Sequence, residues 1–513
     1  MQQPVQLGSK LLTREDVHAV ARGDAPVELT EAAREAVATA RAHIERLATA
    51  EKPTYGVSTG FGALAVRHIP PDRRAALQQS LVRSHAAGSG PEVEREVVRA
   101  LVLLRLKTLA TGHTGVRLET AEAMAAMLNA GITPVVHEFG SLGCSGDLAP
   151  LSAAALALTG EGEVRDAAGE LVPARTALDR AGITPVRLAE KEGLALINGT
   201  DGMLGMLVLA LHDLRHLLDV ADLTAAMSVE ALLGTDRVFA ADLHALRPHP
   251  GQGLSARRMA ELLAGSEIME SHRGPDCTRV QDAYSLRCSP QVHGAARDTV
   301  SYAETVADRE LAAAIDNPVV LADGRVESNG NFHGAPIAYV LDFLAIPVAD
   351  VASIAERRTD RMLDVNRSHG LPPFLADDPG VDSGHMIAQY TQAAVVSELK
   401  RLAVPASVDS IPSSAMQEDH VSMGWSAARK LRKAVDGLRT VLAIEFLTAA
   451  RALDLRAPLR PAPATAAAVA ALRHHVPGPG PDRHLAPEIA AAEEFIRSGA
   501  LLDVVSNQNR SEV

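Results

Sequence analysis

The stretch Gly140-Ser141-Leu142-Gly143-Cys144-Ser145-Gly146-Asp147-Leu148-Ala149-Pro150-Leu151 holds the side chains of this sequence most suited to unusual chemistry. Its middle is small, polar and flexible, and it switches at Asp147 to an Ala/Leu-rich run through Leu156 that reads as a helix. Asp147 is placed to cap that helix by accepting an N–H two or three residues on. Pro150 fits because it falls in the first turn, where a missing N–H is no loss. Cys144-Ser145-Gly146 would then sit at the positive end of a helix dipole, where developing negative charge is favoured. Taken locally, the same pattern also describes an ordinary glycine-rich loop ahead of a helix.

The length of the pattern decides between these readings. Position by position the segment resembles the signature of the histidine/phenylalanine ammonia-lyase family, in which an internal X-Ser-Gly triad cyclises and dehydrates into a methylidene-imidazolone. The resemblance implies that the Gly146 nitrogen attacks the Cys144 carbonyl, in a turn so compressed that a Cβ would forbid it. Loss of water from Ser145 then leaves an electrophilic methylene. Most members carry Ala at the first position, so Cys144 departs from the common pattern and is expected to contribute backbone only.

The resemblance extends from Tyr55 to Trp425 through further polar breaks between helices, where sites tend to be built. It assigns Tyr55 as the base for the substrate β-proton, which calls for a phenol pKa well below about 10 and for cationic or helix-dipole neighbours. Ser84-His85 is similar to the pair of the histidine-specific enzymes, where phenylalanine enzymes tend to show Phe-Leu and tyrosine enzymes His-Leu. Asn198 is implied as a donor to the ring oxygen, an oxyanion-type role. In Gln281-Asp282-Ala283-Tyr284-Ser285-Leu286-Arg287 the spacing of three would align Gln281, Tyr284 and Arg287 on one helical face. Arg287 is then implied at the substrate carboxylate, with its two-pronged guanidinium, and Tyr284 and Gln281 near ring and amine. Phe332 is the implied aromatic wall, and Glu418 the carboxylate aimed at an imidazole. Ala153 stands where histidine-specific relatives often carry His, a departure that bears on packing around the ring.

Together these imply elimination of ammonia from L-histidine to give trans-urocanate, with no external cofactor and no metal, in a homotetramer whose sites draw on more than one subunit. Phenylalanine or tyrosine ammonia-lyase and aminomutase activities use the same triad and remain open, as does an inactive relative with a binding role. Among 19 histidines there is no His-Glu-x-x-His, which argues against a metal hydrolase.

The elements that must position these residues read as helices. The chain has 513 residues, 47% hydrophobic and 22% charged, with only 3% aromatic, which favours closely packed Ala/Leu/Val helices over sheet. Helices are expected at Leu29 to Ala50, Val93 to Thr111, Leu118 to Ala130 and Leu148 to Leu158, with polar loops at Tyr55 to Gly62 and Ser84 to Gly90. Glu161 to Pro185 reads as a surface excursion with a small hairpin. Long helices follow at Met203 to Leu233, Asp298 to Ile315, Ala335 to Arg358, Met386 to Leu402 and His420 to Ala457, with Pro347 expected to kink or end one of them. A last helix is expected at Pro487 to Ser498, before a frayed tail. The resulting fold class is mainly α: a long central helical bundle of the aspartase/fumarase-like kind from residue 200 to 513, after a smaller domain of helices and loops over 1–199 that carries the triad.

A net charge of −13 argues against a nucleic-acid surface. The three cysteines Cys144, Cys277 and Cys288 lack disulfide or metal spacing. The first residues show neither a basic nor an apolar signal region, and the apolar run near Gly202 to Leu211 is too short to span a bilayer, so no membrane association is expected and the cytoplasm is the default.

Overall fold

The computed structural model describes residues 3–8, 10–50, 54–60, 67–274, 277 and 280–511. Helices make up 60% of it, and the strands are short pairs and one three-stranded patch. The chain divides into two compact units, each assembled from three stretches.

The first unit takes in Met1–Ala210, Glu304–Asp342 and Pro405–Arg429. Its helix Glu31–Ala48 starts where Thr30 accepts the Ala33 N–H, and it buries Val37, Ala40 and Ile44 at helical spacing. The helix Arg95–Ala110 is buried on nearly every side, Arg99 and Arg105 included. Leu118–Asn129 and Leu148–Leu158 follow as expected. The excursion after residue 160 contains an antiparallel hairpin, Glu163–Arg165 against Leu171–Pro173, and then a short helix, Ala174–Arg180.

A helix at Arg74–His85 was not legible in the sequence, and it takes in Ser84 and His85, which had been expected in a loop. Its buried face carries Arg74 and Gln78 beside Leu81 and Val82, so polar residues stand where apolar ones would have marked the period. The Arg74 guanidinium caps the carbonyls of Ala48 and Ile69, which satisfies its burial.

The second unit takes in Leu211–Ala303, Phe343–Val404 and Lys430–Val513. Long helices supply its core: Asp201–Ala231, Ser289–Leu311, Ala335–Leu363 and Gly424–Asp454 each contribute most of their length, and Met386–Leu402 lies wholly within it. The two longest, Asp201–Ala231 and Gly424–Asp454 at 31 residues each, span about 46 Å at 1.5 Å per residue. Pro347 does not end its helix, which runs on to Leu363. The apolar side chains around it, Leu344, Ala345, Val348, Val351 and Ala352, are buried, and their burial outweighs the ~3 kcal/mol an interior proline costs. That helix is also long and apolar enough to cross a membrane by length and composition, but 61% of the apolar window is buried inside the protein, as in a core helix. The polar tail after Ser506, expected to fray, continues the helix Ala500–Ser511.

Several charged groups in this core are paired. The Arg358 guanidinium meets the Glu445 carboxylate at 2.5 and 3.0 Å, and Thr224 and Ser228 donate to the same carboxylate at 2.7 and 2.9 Å. Both charged side chains are fully buried. Arg358→Met is therefore expected to cost ~3–5 kcal/mol by stranding the Glu445 charge, and adding Glu445→Leu should recover most of that loss. Thermal unfolding of the two variants tests this; a single variant as stable as the double one contradicts it.

Candidate active site

The backbone around Ser145 turns back on itself. Gly143, Ser145 and Gly146 take φ of 75°, 51° and 83°, and only the glycines adopt such values without strain. The Gly146 N–H makes a long 3.4 Å bond to Gly143 O, the Asp147 N–H donates to Gly199 O at 2.7 Å, and the Gly199 N–H donates to Ser145 O at 3.2 Å. The turn is thus laced to the segment Asn198-Gly199-Thr200. The approach is so close that a Cβ on Gly146 would lie 1.9 Å from Gly199 O.

Asp147 occupies the N-cap position of Leu148–Leu158, but its side chain makes no bond to that helix, contrary to the sequence expectation. Its carboxylate accepts instead from the N–H groups of Gly202 and Met203, both at 2.9 Å, and from Ser141 Oγ at 3.2 Å. These are first-turn donors of the Asp201–Ala231 helix, so Asp147 caps a helix far along the chain. Full burial raises its pKa to about 7 despite those bonds.

Asn198 is fixed from both ends. Arg105, itself buried, donates to the carbonyls of Ala195, Asn198 and Ile315 and to the Asp201 carboxylate at 2.6 Å. The Asn198 side chain donates from Nδ2 to Asn317 O at 3.0 Å. Nearby, Lys191 pairs with Asp316, both fully buried.

A cavity of about 700 Å³ opens in this unit, and Tyr55, His85, Ser145, Asn198 and Glu418 all line it. Leu77, Ser80, Leu81, Ser84 and His85 form one face of the Arg74–His85 helix toward the cavity, at spacings of three and four. Burial holds the His85 pKa below its ordinary value, outweighing the Leu81 carbonyl and the Glu418 carboxylate, which act the other way. Glu418 reaches the cavity from a tight loop in which Ser414, Ala415 and Met416 all have positive φ, of 49°, 52° and 69°. Backbone bonds between Ser413 and Glu418 close that loop, and Ser413 Oγ donates to Glu418 Oε2 at 2.9 Å. The Cys144 thiol is pushed up to about 11, by burial first and the Glu418 carboxylate next, so it stays protonated at neutral pH.

A family profile described as aromatic amino acid lyase matches residues 12–474. The histidine ammonia-lyase of Streptomyces avermitilis is 67% identical over 499 residues, covering 97% of both chains, and that of Streptomyces griseus is 68% identical over 504 residues, covering 98% of both. The chain belongs to the aromatic amino acid lyase family. Its fold is that of solved lyases and aminomutases. The histidine ammonia-lyase from Trypanosoma cruzi superposes with a TM-score of 0.90 at 38% identity, over 99% of this chain and 96% of that one. The tyrosine aminomutase from Streptomyces globisporus gives 0.92 at 38%, over 98% and 99%.

Not every residue that the lyase resemblance implied lines the cavity. Phe332, half-buried in its loop, is not among the lining residues. Gln281, Tyr284 and Arg287 belong to the second unit. There a single helical turn covers only Tyr284–Arg287 and leaves Gln281 outside, so the shared helical face does not form. The Arg287 guanidinium lies 4.6 Å from the centre of the Tyr284 ring, and its Nε donates to Asp282 O at 3.0 Å. Tyr284 is 71% exposed. Of the loop that begins at Tyr55, Phe61 and Gly62 lie outside the described residues.

Sequence reasoning missed Arg67, Leu77, Ser80 and Ala415, which line the cavity, and Arg105, which holds Asn198. Reading Arg74–His85 as a helix would have found Leu77 and Ser80 by their spacing to Ser84. Nothing in the sequence marked Arg105, one of three arginines in the Arg95–Ala110 helix.

Because Asp147 takes its proton at about 7 in the folded chain and at about 4 when unfolded, the folded state binds more protons between those values. Its contribution to stability therefore grows as pH falls from 7 toward 4. Asp147→Asn lacks the group, so the melting temperature of wild type should rise relative to that of the variant from pH 8 to 6 to 5. Parallel profiles would remove Asp147 from the account.

Proposed function

We infer that this chain is a histidine ammonia-lyase, a carbon–nitrogen lyase that removes ammonia from L-histidine and releases trans-urocanate. The observation that carries this reading is the meeting of His85 and Glu418, two side chains suited to an imidazole, with Tyr55, Ser145 and Asn198 on one cavity. Relatives named for the same activity at 67–68% identity over nearly the whole chain support it.

The reading includes a methylidene-imidazolone made from Cys144, Ser145 and Gly146, and the local backbone fits such a group. Ser145 already bends at φ 51°, the Gly146 N–H is held only by a 3.4 Å bond, and no side chain could stand at Gly146. When formed, it supplies an electrophilic carbon that no ordinary side chain offers. The chain's own residues do the rest. Tyr55 takes the proton from the substrate β-carbon; the electron pair left behind forms the Cα=Cβ bond as the Cα–N bond breaks. Arg67, lining the same cavity, is a cation suited to favouring the phenolate. Asn198, its backbone locked by Arg105, presents its amide where negative charge gathers. Glu418 and His85 hold the substrate ring.

Arg287, Tyr284 and Gln281 are assigned to the substrate's carboxylate and amine ends in the cavity of another copy, within a cytoplasmic homotetramer. The exposure of Tyr284 supports that assignment, and so do Phe343, Ile346, Ile387 and Tyr390, apolar side chains of the second unit's long helices that are each at least 45% exposed. An apolar surface of this kind is suited to burial between copies.

Ser145→Ala is expected to abolish turnover while the fold stays intact, and its intact mass should lack the loss of two waters that the wild-type protein carries. Full activity in that variant overturns the prosthetic group. Glu418→Gln should raise KM for histidine about 10- to 100-fold, as loss of a charged hydrogen-bond partner does. Wild-type enzyme that forms cinnamate or a β-amino acid faster than urocanate overturns the substrate.

A further inference from the structure

Ser84 and His85 close the Arg74–His85 helix, where the last carbonyls have no partner within the helix. Ser84 Oγ donates back along its own helix to Leu81 O, a carbonyl that also takes the His85 N–H, at 3.0 Å. The same oxygen lies 3.1 Å from His85 Nδ1. A hydroxyl has one proton and a carbonyl can only accept, so with that proton on Leu81 O Ser84 turns a lone pair toward the imidazole. Two lone pairs cannot bond. In that arrangement the hydrogen between Ser84 and His85 belongs to Nδ1.

A neutral imidazole with its hydrogen on Nδ1 has a bare lone pair on Nε2. Burial, by holding the His85 pKa down, keeps the ring neutral at the pH where this applies. With Nδ1 turned onto its own helix end, Nε2 is the ring nitrogen left for the cavity that His85 lines. Glu418, on the same cavity, is an acceptor too, with Oε2 already taken by Ser413.

We propose that Ser84 is a positioning residue that fixes His85 as the Nδ1–H tautomer, so that His85 and Glu418 meet the substrate's side chain with acceptors alone and select a ring that carries an N–H. The selectivity rests on the histidine reading of the cavity, whereas the tautomer does not. A five-membered ring of the same shape without an N–H, such as that of 3-(thiazol-4-yl)alanine, would leave both acceptors unpaired, and a site built to bond an N–H rejects such a ring strongly. Its triazole counterpart, which keeps an N–H, would be accepted.

Neutron diffraction of the deuterated, ligand-free holoenzyme reads the tautomer directly. Deuterium on His85 Nδ1 and none on Nε2 is expected; deuterium on Nε2 overturns the proposal whatever the substrate. Kinetics reads the consequence. In Ser84→Ala the preference for histidine over the thiazole analogue, measured as a ratio of inhibition constants or of kcat/KM, should fall about three- to tenfold, the range expected for one hydrogen bond. KM for histidine should rise by more than kcat falls, and Ser84→Thr, which keeps the hydroxyl, should restore both. An unchanged preference in Ser84→Ala, or a loss of activity with the preference intact, overturns the positioning role. A wild-type enzyme that prefers phenylalanine or tyrosine would defeat the histidine reading while leaving the diffraction result to stand or fall by itself.

Discussion

A buried carboxylate and a buried guanidinium hold the start of the Asp201–Ala231 helix against the turn that carries Ser145. Asp147 accepts the Gly202 and Met203 N–H groups, and Arg105 bridges Asp201 to the carbonyls of Ala195, Asn198 and Ile315. Helix N-termini leave several N–H groups without partners, and burying them is costly unless an acceptor is supplied. Here the acceptor comes from the residue directly after Gly146. The cap and the turn therefore cannot form separately: whatever orders the helix start also sets the backbone at residues 143–147 and 198–200. Several ionisable groups cluster around this junction, and burial raises the pKa of Asp147, Asp201 and Asp316 even where a cation is adjacent. Buried ionic groups are a poor source of stability in themselves. Their value here is in fixing one backbone arrangement at a place where small residues would otherwise permit many.

The same economy of charge governs the cavity. His85 is kept neutral by burial, and the Cys144 thiol is kept protonated by burial and by the Glu418 carboxylate. The thiol is thus a poor nucleophile, which suits a site whose proposed electrophile is made next to it. Glu418 is presented by consecutive residues with positive φ, an arrangement that costs energy for residues with a Cβ and persists only where surroundings over-determine it. The backbone pairing of Ser413 with Glu418 supplies that constraint.

The second unit is different in kind. It buries an ion pair, Arg358 with Glu445, far from solvent, and its helices expose apolar side chains. Rigidity inside and unpaired apolar surface outside are what a shared scaffold between copies requires, and the proposed assignment of Arg287 to another copy's cavity follows that logic.

What the sequence determined by itself was the kind of helix and the kind of chemistry. Leu148–Leu158 and Met386–Leu402 were legible to the residue because their composition is strongly helical and their ends are marked. The triad, His85, Asn198 and Glu418 were singled out because the long pattern around Ser145, and the shorter motifs on either side of it, resemble those of a known lyase family. What only the tertiary structure decided was partnership. The Arg74–His85 helix was hidden since its buried face is partly polar, with Arg74 on the Ala48 carbonyl and Gln78 Oε1 on the Gly193 N–H, both distant in sequence. Asp147 looked like the cap of the helix it begins, yet caps one that starts at Asp201, because local spacing ranks only nearby donors whereas the folded chain brings a better pair from 55 and 56 residues away. Pro347 read as a break, but the burial of its neighbours carries the helix through it. Periodicity and motif encode what a residue can do; which group it meets is fixed by packing between segments, and that information is not local.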